Sequence, residues 1–222
     1  MMTFNKKTTV ALSLVAAMTA AGTALAAPPA LPKDGSWGPG AGNATFDAMM
    51  QSGFQTKGIA NVERLKQDPT QELCSNPVTA YSEKNTKLRE QLQAANEASI
   101  KYPADGKMMG DWKNGEKIAQ SGKGLTWSDK AGEANGGNCY NCHQITKQEL
   151  SYGTIGPSLY NYGKLRGNSE EIVKYTWGKI YNAKATNLCS LMPRAGAMGV
   201  LTEAQIRDLV ALLLDPESPV NQ

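Results

Sequence analysis

The 222-residue sequence predicts an all-α protein. The strongest evidence is the segment after Thr202, where a Thr-Glu-Ala-Gln capping box precedes apolar residues with a helical period, and Asp215-Pro216 ends the pattern. Other segments show the same period, and no segment alternates polar and apolar residues as a half-buried strand does. The apolar stripe of this last helix consists of Ile206, Leu209, Val210 and Leu213.

Residues 1–26 have the organisation of a secretory signal peptide. Lys6 and Lys7 form a positive start, an apolar run follows from Val10 to Ala21, and Ala24-Leu25-Ala26 supplies small residues for cleavage. A membrane anchor is the alternative, but the run is shorter than the roughly 18 residues that a spanning helix needs. We therefore expect export to a periplasm, with no membrane anchor in the mature chain.

Residues 27–104 are predicted to form an N-terminal extension, α-helical or irregular, without recognisable chemistry. The segment Thr45–Gln67 allows at most two short helices, because glycines interrupt its pattern. Asp68-Pro69 is an N-cap followed by proline at the first helical position, which opens a helical turn that carries Cys74. Ser82–Ile100 has apolar residues at helical spacing, so a longer helix is expected there.

Residues 105–222 contain three more predicted helices. Asp111 can cap a helix that runs through Gln120, and Gly115 and Ala119 put two small residues on one of its faces, so that another helix can approach closely. The next helix runs from about Ser169 to Tyr181. The third is the capped helix described above.

Between the first two of these helices lies Cys139-Tyr140-Asn141-Cys142-His143, which matches the C-x-x-C-H pattern for covalent attachment of a c-type haem. The two thiols reach the two vinyl groups of one porphyrin, and the adjacent imidazole becomes the proximal iron ligand. His143 is the only histidine of the sequence, so the second axial ligand cannot be another histidine of this chain. One covalently bound haem c is expected, held through Cys139, Cys142 and His143.

Two other kinds of site use a C-x-x-C pair, a zinc knuckle and a thioredoxin-like dithiol. A zinc site would need two more soft ligands, and only Cys74 and Cys189 remain. A redox dithiol would begin a helix in a βαβ unit, and no strand-rich pattern precedes Cys139. The spacing therefore favours haem over both alternatives.

The charge balance excludes one class of partner. Removal of residues 1–26 takes away two lysines and no acidic residue, which leaves 21 Lys and Arg against 20 Asp and Glu in the mature chain. No basic stripe indicates a phosphate-binding surface, so we expect no nucleic-acid partner.

The order of elements in the second half is similar to that of class I cytochromes c. A helix is followed by C-x-x-C-H, by the loop Gly153-Thr-Ile-Gly-Pro-Ser-Leu159, by a helix, by a methionine-bearing loop and by a terminal helix. The resemblance implies a class I cytochrome c fold for residues 105–222, with the first and last helices crossing at Gly115. It also implies that the Pro157 carbonyl accepts the Nδ1–H of His143 and fixes the tautomer that binds iron.

The distal iron ligand has to come from Met, Lys, Tyr, Cys or water. Met192 begins Met-Pro-Arg-Ala-Gly before the terminal helix, where class I cytochromes c carry the ligand methionine, so the resemblance implies Met192. Met198 is the second candidate, and its place beside Gly199 and the Thr202 cap favours a packing role. His/Met ligation raises the reduction potential, which suits an electron acceptor.

The C-terminal tail, Met192–Val220, resembles the SoxX family, the small cytochrome c subunits of the sulfur-oxidising SoxAX complex. The shared pattern is MPR-x-G…LT-x-x-QI-x-D-x-VA-x-LL with a closing P-x-SPV. The resemblance implies a heterodimer with a haem-bearing SoxA, acting as an L-cysteine S-thiosulfotransferase that joins thiosulfate oxidatively to a cysteine of the SoxYZ carrier protein. The chemistry would belong to a SoxA cysteine, and the SoxX haem would pass the electrons to a downstream cytochrome c.

A stand-alone, diffusible periplasmic electron carrier is the alternative function. A carrier usually shows a strongly charged face, whereas a permanent partner needs a large and fairly apolar interface. The near-zero charge of the mature chain and its long extension favour the permanent partner.

Cys74 and Cys189 are expected to form a disulfide. Haem attachment uses two of the four cysteines, and the remaining two lie in an oxidising compartment. Two buried free thiols, or one cysteine bonded to the partner chain, are the alternatives. An intramolecular bond would pin the extension onto the distal side of the haem module.

Overall fold

The computed structural model describes residues 44–222, so the predicted signal peptide, residues 1–26, lies outside the described part. The described residues form α-helices joined by turns and 3₁₀ segments, and they contain no β-strand beyond one isolated bridge between Lys57 and Ala60. The predicted all-α class is confirmed. The helices are α1 (Ala44–Gly53), α2 (Pro69–Cys74), α3 (Pro77–Ala80), α4 (Thr86–Ala98), α5 (Trp112–Gln120), α6 (Tyr162–Arg166), α7 (Glu170–Tyr181) and α8 (Glu203–Leu214).

The capping signals of the sequence place three helix starts correctly. Asp68 begins α2 in a capping box with Gln71, whose amide donates to the Asp68 carboxylate at 2.9 Å. Asp111 caps α5 through a backbone amide, and Thr202 forms the predicted box with Gln205 at α8. In each case a side-chain oxygen satisfies an amide that has no partner within the helix.

Three helices differ from the expectation. The predicted Ser82–Ile100 helix starts as a 3₁₀ turn, Glu83–Asn85, and is α-helical only from Thr86 to Ala98. Helices α3 and α6 have no counterpart in the prediction, because their four and five residues are too few to show a helical period. In the part of the chain that the structure describes, no helix is long and apolar enough to cross a membrane.

Helices α5 and α8 cross in close contact at the centre of the core. A Cβ on Gly115 would lie 2.1 Å from the carbonyl oxygen of Asp208 and 2.9 Å from the Cβ of Leu212, so only glycine fits. The amide of Asp111 donates to the Asp208 carboxylate at 2.8 Å, which ties the start of α5 to α8. The close approach predicted at Gly115 is confirmed. Buried apolar side chains of this core include Ala119, Ile206, Leu209, Val210 and Leu213.

The extension is joined to the rest of the chain by buried polar contacts. Trp177 of α7 is fully buried, and its indole N–H donates to the carbonyl of Lys101 at 2.9 Å. Asn182, directly after α7, donates to the side-chain oxygen of Asn96 in α4 at 3.0 Å. These contacts connect helix α4 and the segment after it to the end of α7. The predicted domain boundary between residues 104 and 105 stays a prediction.

Replacing Gly115 with Ala should destabilise the protein, because the added methyl group pushes α5 away from α8. We expect the free energy of unfolding to fall by about 1–3 kcal/mol, the usual range for overpacking a core contact, as measured by urea denaturation. Gly53→Ala is the matched control, since no atom lies within 4 Å of a Cβ at that position. Unchanged stability of Gly115→Ala would contradict the close crossing.

Candidate functional site

The candidate site is a cavity of about 680 Å³ beside the crossing of α5 and α8. Pockets that hold small molecules and cofactors have volumes of about 300–1,000 Å³. Much of the lining is apolar, with side chains such as Ile145, Leu159 and Ile180. The cavity brings together six residues that the sequence analysis singled out: Cys139, Cys142, His143, Pro157, Cys189 and Met192.

The segment before Cys139 is tied to the end of α5. Three successive backbone amides, from Gly136 to Asn138, donate to carbonyls at and just beyond the end of α5, over distances of 2.7–3.0 Å. Asn138 then adopts a left-handed conformation (φ 51°), which asparagine tolerates better than most residues, and a 3₁₀ turn follows at Cys139–Asn141. The helix that crosses α8 therefore sets the position of both thiols.

The His143 ring is held by the loop that follows the motif. Its Nδ1 lies 2.6 Å from the carbonyl oxygen of Pro157. Because a carbonyl oxygen can only accept, the neutral ring carries its proton on Nδ1, and Nε2 keeps the lone pair that a metal would use. The contact predicted between Pro157 and His143 is present.

Backbone hydrogen bonds and one glycine fix this loop against the motif. A Cβ on Gly156 would lie 2.2 Å from Cε1 of His143, so the ring packs directly on the glycine backbone. The loop amides donate to motif carbonyls at 2.7–2.9 Å: Gly153 to Tyr140, Gly156 to Cys142, and Leu159 to Gln144. The imidazole is therefore oriented by backbone atoms, whose positions do not depend on a flexible side chain.

Cys139 lacks the lowered pKa of a reactive thiol, and the two further cysteines that a zinc knuckle would need are not free. Burial raises the pKa of the Cys139 thiol to about 11, whereas reactive dithiols contain a cysteine with a lowered pKa. A zinc knuckle would need Cys74 and Cys189, which are bonded to each other. Within residues 44–222, no group of three or more His, Cys, Asp or Glu side chains is arranged to hold a metal ion. Both alternatives are disfavoured.

The two candidate methionines occupy different environments. Met192 lines the cavity and packs, partly buried, against the core. Met198 is 63% exposed, and the cavity lining does not include it. The geometry therefore favours Met192 as the methionine that reaches a group in the cavity.

Both flanks of Met192 are tied to helix α2. The predicted disulfide between Cys74 and Cys189 is present, with the two Cα atoms 5.3 Å apart. On the other flank, the Arg194 guanidinium lies 2.5 Å from the Asp68 carboxylate. Burial alone would raise the pKa of Asp68, but hydrogen bonds from the Gln71 amide and from Arg194, together with the Arg194 charge, hold it below its ordinary value.

Sequence reasoning missed three cationic residues of this region. Lys184 is buried, its ammonium donates to the carbonyls of Leu188 and Ser190 at 3.2 and 3.3 Å, and burial lowers its pKa. Arg166 and Lys179 contribute cationic side chains to the cavity lining. No pattern in the sequence separates these from the other Lys and Arg residues, because each is an isolated charge on a helix or turn.

No family model matches the chain. Among curated proteins, the chain is 41% identical to an "uncharacterized lipoprotein" of Aquifex aeolicus (strain VF5) over 157 residues, which are 70% of this chain and 73% of that protein. The chain belongs to the family of this lipoprotein. The match covers 157 of 222 residues, so at most about 65 residues lie outside it, wherever the match begins. The shared stretch therefore includes residues 70–150.

Removing the disulfide should lower stability considerably. The bond closes a loop of 115 residues, for which the chain-entropy model gives about 4–5 kcal/mol of unfolding free energy. We expect Cys74→Ser with Cys189→Ser to show a loss approaching this value in urea denaturation. Peptide mapping without reduction should recover the two cysteines in one linked fragment. Alkylation of both thiols in the denatured, unreduced protein would show that the bond is absent.

Proposed function

We propose that this protein is an exported mono-haem c-type cytochrome with a class I cytochrome c fold. The observation that carries the proposal is a single cavity lined by Cys139, Cys142, His143 and Met192. In this assignment the haem is bound covalently through the two cysteines, with His143 as proximal and Met192 as distal iron ligand. The crossing of α5 and α8 and the Pro157 carbonyl on His143 support it.

The residues present fit such a group. Two unbonded thiols, a neutral imidazole with a lone pair on Nε2, and a thioether form the donor set around a cavity of about 680 Å³. Arg166 and Lys179 supply the positive charge that the two propionates of a haem require. When bound, a haem supplies reversible one-electron transfer at its iron.

The side chains of the cavity would determine how readily that electron is accepted. Cys139 and Cys142 tether the group, and the Pro157 carbonyl keeps the His143 proton on Nδ1, which increases the basicity of Nε2. Apolar side chains such as Ile145 line the cavity. An apolar lining around a haem would disfavour the more highly charged ferric state and so would raise the reduction potential.

Export is supported by three observations on different parts of the chain. Residues 1–26 have the signal-peptide pattern, the structure contains a disulfide, and the Aquifex relative is named a lipoprotein. We therefore propose that the mature chain works in a periplasm.

We further propose that the protein is the SoxX-like subunit of a SoxAX-type heterodimer. It would accept electrons while the SoxA subunit joins thiosulfate to a SoxYZ cysteine, and would pass them one at a time to a downstream cytochrome c. The resemblance of the C-terminal tail is the main support. Two aliphatic side chains that line the cavity are also exposed, Ile155 by 75% and Leu191 by 87%, as expected where a partner covers the cavity mouth.

A stand-alone electron carrier is the second candidate, because the tail residues have roles within the fold that require no partner. Gln205 completes the cap of α8, Asp208 ties α8 to α5, and Ser218 donates to the carbonyl of Leu212 at 2.5 Å. The tail pattern therefore supports the proposed cytochrome fold more directly than it supports binding to a SoxA partner.

Haem should stay on the polypeptide after denaturation in acid acetone, because two thioether bonds hold it. We expect the washed pellet to keep the pyridine haemochrome spectrum of a c-type haem, and Cys139→Ala with Cys142→Ala to lose it. Cys74→Ser with Cys189→Ser is the matched control and should keep the haem. Extraction of the haem from the parent protein into acetone would overturn the assignment.

Replacing Met192 with Ala should remove the weak near-infrared sulfur-to-iron charge-transfer band of the ferric protein and lower the reduction potential, because the thioether favours the ferrous state. Met198→Ala should leave both unchanged, since that side chain is 63% exposed and outside the cavity lining. Loss of the band in Met198→Ala instead of Met192→Ala would show that Met198, and not Met192, is the distal iron ligand.

The heterodimer is tested by purifying the protein from cells that also produce SoxA. We expect near-stoichiometric co-purification, and reduction of the haem by thiosulfate only when SoxA and SoxYZ are present. Leu191→Glu should weaken the complex, whereas Leu165→Glu, at another exposed leucine, should not weaken it. A haem-loaded monomer under these conditions would reject the heterodimer in favour of the carrier.

A further inference from the structure

The segment Cys189–Arg194, here called the Met192 loop, has few internal contacts of its own. It contains no helix, and its exposed residue Leu191 lies directly beside Met192. Within the loop, the amide of Met192 donates to the hydroxyl of Ser190 at 3.2 Å. Apart from the packing of the Met192 side chain against the core, the position of the loop therefore depends on what holds its two ends.

Both ends are held by the same short helix. Cys74, the last residue of α2, is bonded to Cys189, the first residue of the loop. Asp68, the N-cap of α2, pairs with Arg194, the last residue of the loop, whose side chain is only 13% exposed. Helix α2 thus spans the loop from one end to the other, at a sequence distance of more than a hundred residues.

Helix α2 is itself fixed to the part of the chain that precedes the loop. Buried Thr70 accepts from the side-chain amide of Asn96 at 3.1 Å. Asn96 in turn accepts from Asn182, which is 1% exposed and ends α7. Since buried polar groups are costly to leave unpaired, this chain of amide contacts resists displacement of α2.

Asp68 supplies the negative charge for two cationic side chains near the loop. Lys184 is buried and donates to the carbonyls on either side of Cys189. The charge of Arg194 acts unfavourably on that ammonium, and the charge of Asp68 acts favourably. Without Asp68, Arg194 would lose its ion-pair partner, and the unfavourable effect of its charge on the Lys184 ammonium would no longer be offset.

We propose that α2 is the positioning element of the Met192 loop, with Asp68 and Cys74 as positioning residues that keep Met192 in the cavity. Loss of either tie lets the loop open and exposes the distal position to other ligands. The proposal rests on the proposed function, in which Met192 is an iron ligand. It assigns a role to the extension: the extension holds the ligand loop from outside the haem module.

The test uses the haem-loaded, full-length mature protein and the rate at which imidazole binds the ferric form. Asp68→Asn is the main variant, because asparagine keeps the N-cap and the size of the side chain while removing the charge. We expect the imidazole-binding rate to rise about tenfold, the size expected when a charge-assisted hydrogen bond is lost, with a lower reduction potential. Cys74→Ser with Cys189→Ser should have the larger effect.

Two controls separate loop opening from general destabilisation. Glu170→Gln removes the exposed ion pair with Lys174 on α7 and should leave the imidazole rate unchanged. Thr202→Ala removes the cap of α8 and should lower the melting temperature without changing that rate. Equal acceleration in Thr202→Ala would overturn the positioning role.

Two further outcomes distinguish this inference from the proposed function. Parent-like rates and potentials in Asp68→Asn and in the double serine variant, with a clear effect of Met192→Ala, would overturn the role of α2 and leave the haem assignment intact. Absence of the sulfur band in the parent protein would overturn the ligation by Met192, and with it the role of α2 in ligation. Faster amide hydrogen exchange in residues 189–194 of Asp68→Asn would support the tie independently of the iron.

Discussion

The contact between α5 and α8 is the constraint on which the cavity depends. Helix α5 leads, through backbone hydrogen bonds, into the segment that carries Cys139 and Cys142, and α8 begins after the loop that carries Met192. Because Gly115 lets the two backbones touch, the end of one segment and the start of the other meet at one cavity. A side chain at position 115 would push α5 away from α8, and it would therefore move the segment that carries Cys139 and Cys142 away from the loop that carries Met192.

The two walls are fixed by different means. The His143 wall is held by hydrogen bonds to backbone carbonyls within residues 118–159, which are close in the sequence. The Met192 wall is held by a disulfide and an ion pair to α2, more than a hundred residues away. Contacts of the first kind form whenever the local segment folds, whereas those of the second kind require the extension to be in place. The Met192 side can therefore loosen without disturbing His143.

Local signals account for what the sequence predicted well. Capping boxes at Asp68 and Thr202 involve residues three positions apart, and the C-x-x-C-H spacing is equally local. The Cys74–Cys189 bond is long-range, but it could be predicted because only two cysteines remained. The ion pair of Asp68 with Arg194 could not be predicted in this way, because any of the 20 acidic residues could pair with any of the 23 basic ones. Buried Lys184 likewise has no sequence signature.

The family similarity reaches into the predicted extension. Residues 105–222 number 118, and the Aquifex relative matches 157 residues, so the shared stretch includes part of the extension. The contacts explain why: without the extension, the indole N–H of Trp177 and the amide of Asn182 would lose their partners inside the protein. Leaving a buried donor unpaired costs about 1–3 kcal/mol for each group. Packing of the extension therefore stabilises the helix that presents the cavity wall from Thr176 to Ile180.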